Sequence, residues 1–288
     1  MLSLIVLYSP DRRSQLDVTI SCLRAMQGYE SCQKILVVDG KLVGHYPEFE
    51  VCEVVRNGPY FNWSRSWGAG LARCQFDTVW YLESDRILPP NYISLIAQNI
   101  KPRSVLYSQY LFKLKHNVDF AIAKKLRDLS QAWGPVVPKR FSRQAMLDRR
   151  LPHPPDPNFL HYGKASFSGN AAFLRSTLNE IGGVDERYEG AGLFDTDLHY
   201  AACARGVLLV KLPATELHQN HTYSIRSDEF ILINIWNALL FCKKWGTLPG
   251  DEITALMKQS SISQTFFDRS MNMGDFLNKA LHRNLRML

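Results

Sequence analysis

Along the first hundred residues, apolar and polar positions alternate in a strand–helix rhythm. Leu2–Tyr8 is an almost unbroken apolar run, as expected of a strand covered on both faces. The stretch from Ser14 to Met26 then places Leu16, Ile20, Leu23 and Met26 on helical spacing. A short apolar run, Lys34–Val38, ends at Asp39-Gly40 and predicts a second strand, and Phe49–Val55 a third. Trp63–Cys74 predicts a helix, Thr78–Leu82 a strand, and Asn91–Ile100 a helix opened by Pro89-Pro90, where proline suits the first turn. This β-α-β-β-α-β order predicts a mostly parallel sheet covered by helices. Ligands of such sheets sit beyond the carboxyl ends of the strands. Three of those ends carry polar or acidic loops: Ser9–Arg13, Asp39 and Glu83–Asp85.

The rhythm breaks over 101–160, which predicts one strand (Val105–Leu111), one helix and a long proline-containing loop. It resumes with a strand at Phe167–Arg175, a helix stopped by Gly182-Gly183, a helix over Phe194–Ala204 and a strand at Val207–Leu212 that ends by Pro213. A helix capped by Ser227 follows, with Asp228-Glu229 in its first turn, Lys243-Lys244 in its last, and Gly246 as its stop. Its apolar residues run nearly all the way round, so it is expected to lie buried on the body or in a subunit contact. The expected division is a main domain over 1–222, with a basic insertion over 101–164 between halves over 1–100 and 165–222, and a helical C-terminal extension over 223–288.

Composition adds limits. Of 288 residues, 46% are hydrophobic and 21% charged, an ordinary balance for a globular enzyme. The six cysteines are scattered without CxxC spacing, which argues against a zinc ribbon or disulfide framework and suits a reducing compartment. The longest near-apolar run, Phe230–Cys242, falls short of the ~20 residues that span a bilayer. The cytoplasm is therefore the expected location. The net charge of +7 is concentrated between Lys101 and Arg150, where twelve Lys/Arg face three Asp. Such a block is either a solvated helical face or a surface for an anionic partner, including peripheral membrane contact. No nucleic-acid reader motif accompanies it, so nucleic acid is not an expected partner.

Three clusters carry candidate chemistry. Glu83-Ser84-Asp85 sets alternate carboxylates just past a buried strand, either as hard oxygen ligands for Mg²⁺ or Mn²⁺ or as an ordinary acidic loop. Gly190–Asp197 feeds Asp195 and Asp197 into a helix start, where a carboxylate either caps the helix or accepts a proton from an attacking hydroxyl. Glu216–His221 brings His218 and His221 beside a second acid, either structural or metal-ligating.

In order along the chain, VWYLESDRILPP (Val79–Pro90) resembles the strand and DxD loop of family-2-like GT-A glycosyltransferases. SGNAAFLRSTLNEIGGVDERYEGAGLFDTD (Ser168–Asp197) resembles their acceptor-side segment ending in an "ED" motif. The resemblance covers roughly residues 1–100 and 165–222 and implies that these are the nucleotide-binding and acceptor halves of a catalytic domain. It implies a GT-A, Rossmann-like fold and a sugar transferred from a UDP- or GDP-sugar to a glycan, lipid-linked or protein hydroxyl, with Mn²⁺ or Mg²⁺. Asp39 then corresponds to the acid that contacts the base, and Tyr8, Glu83, Ser84, Gly169 and Asn170 border the nucleotide-sugar. Arg65 lies near the donor phosphates. Asp85 becomes the metal ligand, completed by His218 or His221, and Asp195 the general base of an inverting displacement. Two positions depart from the pattern: Glu83 replaces the first aspartate, and Phe194 replaces the glutamate of "ED", where it is available to stack on a sugar or lipid. The rival readings are a sugar nucleotidyltransferase, whose glycine-rich first loop Ser9–Arg13 lacks, and a non-catalytic nucleotide- or glycan-binding protein.

Overall fold

A computed structural model of the chain describes residues 1–55, 61–114, 118–132, 169–190, 192–220 and 228–246. The strands are β1 (Ser3–Tyr8), β2 (Gln33–Asp39), β3 (Glu50–Val54), β4 (Thr78–Glu83), β5 (Arg86–Ile87), β6 (Ser104–Lys113), β7 (Asn170–Leu174) and β8 (Leu208–His218). The helices are α1 (Arg13–Arg24), α2 (Trp63–Leu71), α3 (Tyr92–Asn99), α4 (Phe120–Ala132), α5 (Arg175–Ile181), α6 (Phe194–Ala204) and α7 (Asp228–Trp245). The eight strands form one sheet in the order β3-β2-β1-β4-β7-β6-β8-β5. The pairs among β3, β2, β1 and β4 are parallel, as is β6 with β8, while β7 runs antiparallel to both β4 and β6.

Every side chain of β1 is buried, as its unbroken apolar run requires of a central strand. Period-2 alternation sorts the strands' side chains onto two faces. Ile5, Leu7, Val37, Tyr81 and Phe173 join Trp63 and Trp67 of α2, Leu198 and Tyr200 of α6, and Leu240 and Phe241 of α7. Leu4, Val6, Leu36, Trp80 and Leu82 join Leu16, Ile20 and Leu23 of α1 and Tyr92 and Ile96 of α3. Trp67 anchors the first face, its ring 3.9 Å from that of Tyr81 and stacked 5.6 Å from that of Phe173. A fully buried side chain of that kind contributes roughly 1.5–3 kcal/mol or more. Helix α7 packs on the body, with Ile235, Ala238 and Phe241 fully buried.

Two features depart from expectation. Strand β8 does not stop before Pro213. Between Ser108 and Tyr110 of β6 the partner strand advances from Leu212 to Thr215, so β8 accommodates its proline at a bulge and continues to His218. Strand β5 was hidden inside the loop after β4: it pairs antiparallel with β8, Arg86 opposite His218 and Ile87 opposite Leu217. The segment read as a basic insertion contributes β6, a strand of the sheet itself, and α4, whose Ala123 packs with Val18 and Cys22 of α1. Residues 133–168, the Ser227 cap and the chain beyond 246 lie outside the described residues. Among the described residues, no helix is long and apolar enough to cross a membrane.

Candidate active site

Parallel register gathers the carboxyl ends of β1, β2 and β4 at one edge. Tyr8 lies opposite Val38, the residue before Asp39, and Leu7 opposite Glu83. Tyr8 is buried, its hydroxyl 3.4 Å from the Pro10 carbonyl, and Asp39 is fully buried. Past Glu83, Ser84 N–H donates to the Leu7 carbonyl at 2.9 Å, while its Oγ is buried without a hydrogen-bond partner among the described residues. The chain then turns into β5, and the β5–β8 ladder carries Asp85 across to the end of β8, where Gln219 N–H donates to the Asp85 carbonyl.

Asp85 and His218 therefore meet although 133 positions separate them: His218 Nε2 lies 3.3 Å from Asp85 Oδ2. Burial lowers the His218 pKa, which favours the neutral imidazole. Two guanidinium groups share the same carboxylate, Arg12 Nη1 at 2.7 Å from Oδ2 and Arg86 Nε at 3.0 Å from Oδ1. Arg86 is also held by Glu83 Oε2 at 2.8 Å and Glu216 Oε1 at 2.9 Å. Burial opposes its charge, but the three carboxylates win and raise its pKa.

Gly169 makes that clamp sterically possible. It has φ +90°, and a Cβ built there would overlap the Arg86 guanidinium. Its carbonyl accepts from Glu83 N–H at 2.7 Å. Asn170 is buried and bonded to the scaffold: its Oδ1 accepts from Trp80 Nε1 at 2.8 Å. Its Nδ2 lies 2.7 Å from Ser108 Oγ, 2.8 Å from Tyr92 OH and 3.0 Å from Glu216 Oε2. Burial raises the Glu216 pKa.

Asp195 opens α6 from the other side. Its Oδ1 accepts from Thr196 N–H at 2.7 Å. Burial pushes its pKa up to about 6; the Thr196 bond opposes this, and the charge of Glu83 adds to it. Phe194 is not available for stacking on a ligand. It is buried, its ring 6.1 Å from that of Trp67, because the helix start turns that position into the core. Asp197 is scaffold: it accepts from Trp245 Nε1 at 2.6 Å and pairs with Lys244 Nζ at 2.7 Å. Asn237 of α7 holds the turn before Asp195, accepting from Glu189 N–H at 3.0 Å and donating to the carbonyls of Glu189 (2.6 Å) and Gly192 (3.0 Å).

Arg65, in the first turn of α2, is paired with Glu189 at 2.9 Å, and Glu189 also accepts from Asn62 at 2.6 Å. The structure thus ties that basic position to the Glu189–Gly190 turn before α6. His221 lies outside the described residues. In the basic segment Lys124 and Lys125 are exposed, whereas Arg127 is buried, its Nη1 3.4 Å from the Cys22 carbonyl; it does not belong to a solvated face. Sequence reasoning did not assign roles to Arg12, Arg86, Glu189 or Glu216. A local signal existed only for Arg86, an arginine directly after Asp85, three positions after Glu83 and before an apolar pair.

No family model matches the chain, and no curated protein matches it. Among solved structures it is similar to GalNAc-T7 with UDP, GalNAc and Mn²⁺. The match covers 100% of this chain and 58% of that one, at 12% identity and a TM-score of 0.54. The fold is GT-A-like. At that identity the likeness is one of fold, and this chain spans little more than half the length of its GT-A neighbour.

Proposed function

We propose that this protein is a glycosyltransferase that moves a sugar from a UDP- or GDP-sugar onto an acceptor hydroxyl, by a single inverting displacement with Mn²⁺ or Mg²⁺. The observation that carries this reading is a pair of unlike carboxylates linked through Glu83, which shares Arg86 with Asp85 and whose charge acts on Asp195. Asp85 is fully buried, paired with cations and faced by the His218 imidazole, whose pKa burial lowers; Asp195 is held at a helix start with its pKa raised to about 6. A carboxylate held among cations suits charge binding, and one whose pKa burial raises suits proton transfer. The UDP and Mn²⁺ named for the GT-A neighbour support the donor class and the metal.

The residues present fit a divalent ion. Among the described residues no group of three His, Cys, Asp or Glu is placed to hold one. Asp85 Oδ2 and His218 Nε2, at 3.3 Å, nevertheless have nearly the ~3 Å spacing of adjacent donors on an octahedral ion whose bonds are about 2.1 Å. Phosphate oxygens complete such sites. Asp85 and His218 would hold the ion, which supplies positive charge against the leaving diphosphate. The rest falls to the chain. Tyr8 and Asp39 border the nucleotide, and the Arg86 clamp fixes the direction of Asp85. Asp195 accepts the acceptor's hydroxyl proton on Oδ2, leaving Oδ1 on Thr196 N–H. Such general-base assistance contributes roughly 10²–10⁴-fold.

The test is a nucleotide-release assay over UDP- and GDP-sugars with Mn²⁺, with and without pooled glycan acceptors. Metal-dependent donor consumption that rises with acceptor is expected. Nucleotide binding by calorimetry with no consumption of any donor would leave a binding protein and defeat the enzyme reading.

A further inference from the structure

One cation on Asp85 has a place to go. Arg86 does not: its side chain is 5% exposed and three carboxylates hold it. The Arg12 side chain is 19% exposed, follows β1 on the short helical turn Pro10–Arg12, and has Asp85 as its anionic partner. Its guanidinium carbon already lies 5.9 Å from the centre of the Trp63 ring, a face that stays within its reach once it leaves the carboxylate. The oxygen it occupies is the one that faces His218. Arg12 Nη1 is 2.7 Å, and His218 Nε2 3.3 Å, from Asp85 Oδ2.

We propose that Arg12 is a resident counter-cation of Asp85 that a divalent ion displaces, and that the released guanidinium then takes the donor diphosphate as its new anion. The proposal rests on the metal-assisted reading above. A metal held by Asp85 Oδ2 and His218 Nε2 meets a guanidinium on the same oxygen, and two cations cannot both remain there at bonding distance without strong repulsion. The looser cation leaves. Arg12 sits between Tyr8 and α1, at the strand end where ligands of such sheets bind, so it moves toward the incoming phosphates rather than away from them. A guanidinium offers a phosphate paired N–H donors, which an ammonium cannot match. The exchange keeps Asp85 neutralised at every stage. The empty protein avoids an uncompensated buried carboxylate, and the loaded one gains a diphosphate contact.

Free Mn²⁺ measured by electron paramagnetic resonance tests the first half, without nucleotide or turnover. Arg12→Ala removes the competitor, and its Mn²⁺ affinity is expected to rise by about ten-fold or more over wild type. Arg86 remains on Asp85 in that variant, so the carboxylate is not stripped of partners. Arg12→Lys keeps a competing cation and is expected to stay within a few-fold of wild type. Calorimetric titration with UDP at saturating Mn²⁺ tests the second half, where Arg12→Ala is expected to bind about ten-fold more weakly. Equal Mn²⁺ affinity in Arg12→Ala and wild type overturns the displacement. Tighter Mn²⁺ with unaltered UDP binding overturns the transfer to phosphate and leaves Arg12 a plain counter-ion. Absence of Mn²⁺ binding in wild type and both variants, with UDP present, sinks the metal reading itself.

Discussion

Asp195→Asn separates catalysis from architecture, because the two roles move in opposite directions. In the folded protein burial raises the Asp195 pKa from 3.8 to about 6, against the pull of the Thr196 N–H bond. Between those two pH values the folded state holds a proton that the unfolded chain has lost. Stability therefore falls as pH rises through that window, and above about pH 6 the ionised side chain carries the full penalty. The gap corresponds to at most ~3 kcal/mol, and screening by water at a half-buried group brings the expectation to about 1–2 kcal/mol. Asparagine keeps the size and the Oδ1 that accepts from Thr196, and it carries no charge at any pH. At pH 7.5 the variant is expected to melt several degrees higher than wild type, since ~1 kcal/mol shifts Tm by roughly 2–4 °C in a chain of this order of size. At pH 4 the difference is expected to vanish.

Turnover is expected to run the other way. An amide cannot accept the acceptor's proton, so kcat falls by roughly 10²-fold or more, while donor binding barely changes. Wild-type kcat is expected to rise through pH ~6 as the carboxylate ionises. Thermal denaturation at pH 4, 6 and 7.5, together with a transfer assay over the same range, reads both effects. A stability difference independent of pH would refute the buried-carboxylate argument. Turnover within a few-fold of wild type would refute the general base and favour a retaining or non-catalytic reading.

Gly169→Ala is expected to disrupt the Arg86 clamp, because its Cβ meets the guanidinium and its φ of +90° disfavours any side chain. The cost is about 2 kcal/mol or more in urea denaturation, and unchanged stability and metal affinity would show that Arg86 rearranges freely. Asn237→Leu breaks three hydrogen bonds to the Glu189–Gly192 turn. Its kcat is expected to fall with an altered pH profile while the UDP affinity holds; a parallel loss of both would indicate general unfolding. Removal of divalent ions by EDTA is expected to weaken UDP binding by about ten-fold or more in calorimetry, and equal affinity in EDTA would count against a metal-bridged donor.

What the sequence made legible follows from the range of each signal. Continuous apolar runs and 3.6-residue spacing are local, so β1, β2, β4, α1 and α2 could be read to within a few residues. The DxD-like loop and Asp195 were named from ordered motifs, and their roles belong to the proposed function. Pairings that depend on distant partners were not visible. Arg86–Ile87 is too short to show a period, and it becomes a strand only because β8 runs on to His218 through the bulge at Pro213. Phe194 follows a glycine turn and looked free, yet the helix start buries it near Trp67. Arg127 belongs to a basic run by composition but to the α1–α4 contact by position. Charge counted along a chain says nothing of which side a helix presents.

The site's charge balance explains why these misses share one place. Among the described residues, Glu83, Asp85, Glu216 and Asp195 lie around the strand ends, with the guanidiniums of Arg86 and Arg12 between them. Arg65 adds no free charge, because Glu189 takes it. Among these described side chains carboxylates outnumber guanidiniums, and burial raises the pKa values of Asp195 and Glu216. A diphosphate brought to this edge alone would add negative charge to an acidic surface. It binds well only if further positive charge arrives with it or is released toward it. The same acidity that disfavours a bare nucleotide suits the edge to a nucleotide accompanied by a cation, while burial, with a smaller push from Glu83, holds the Asp195 pKa up at about 6. On the proposed reading, donor binding follows from the carboxylates and base catalysis from the burial of one of them.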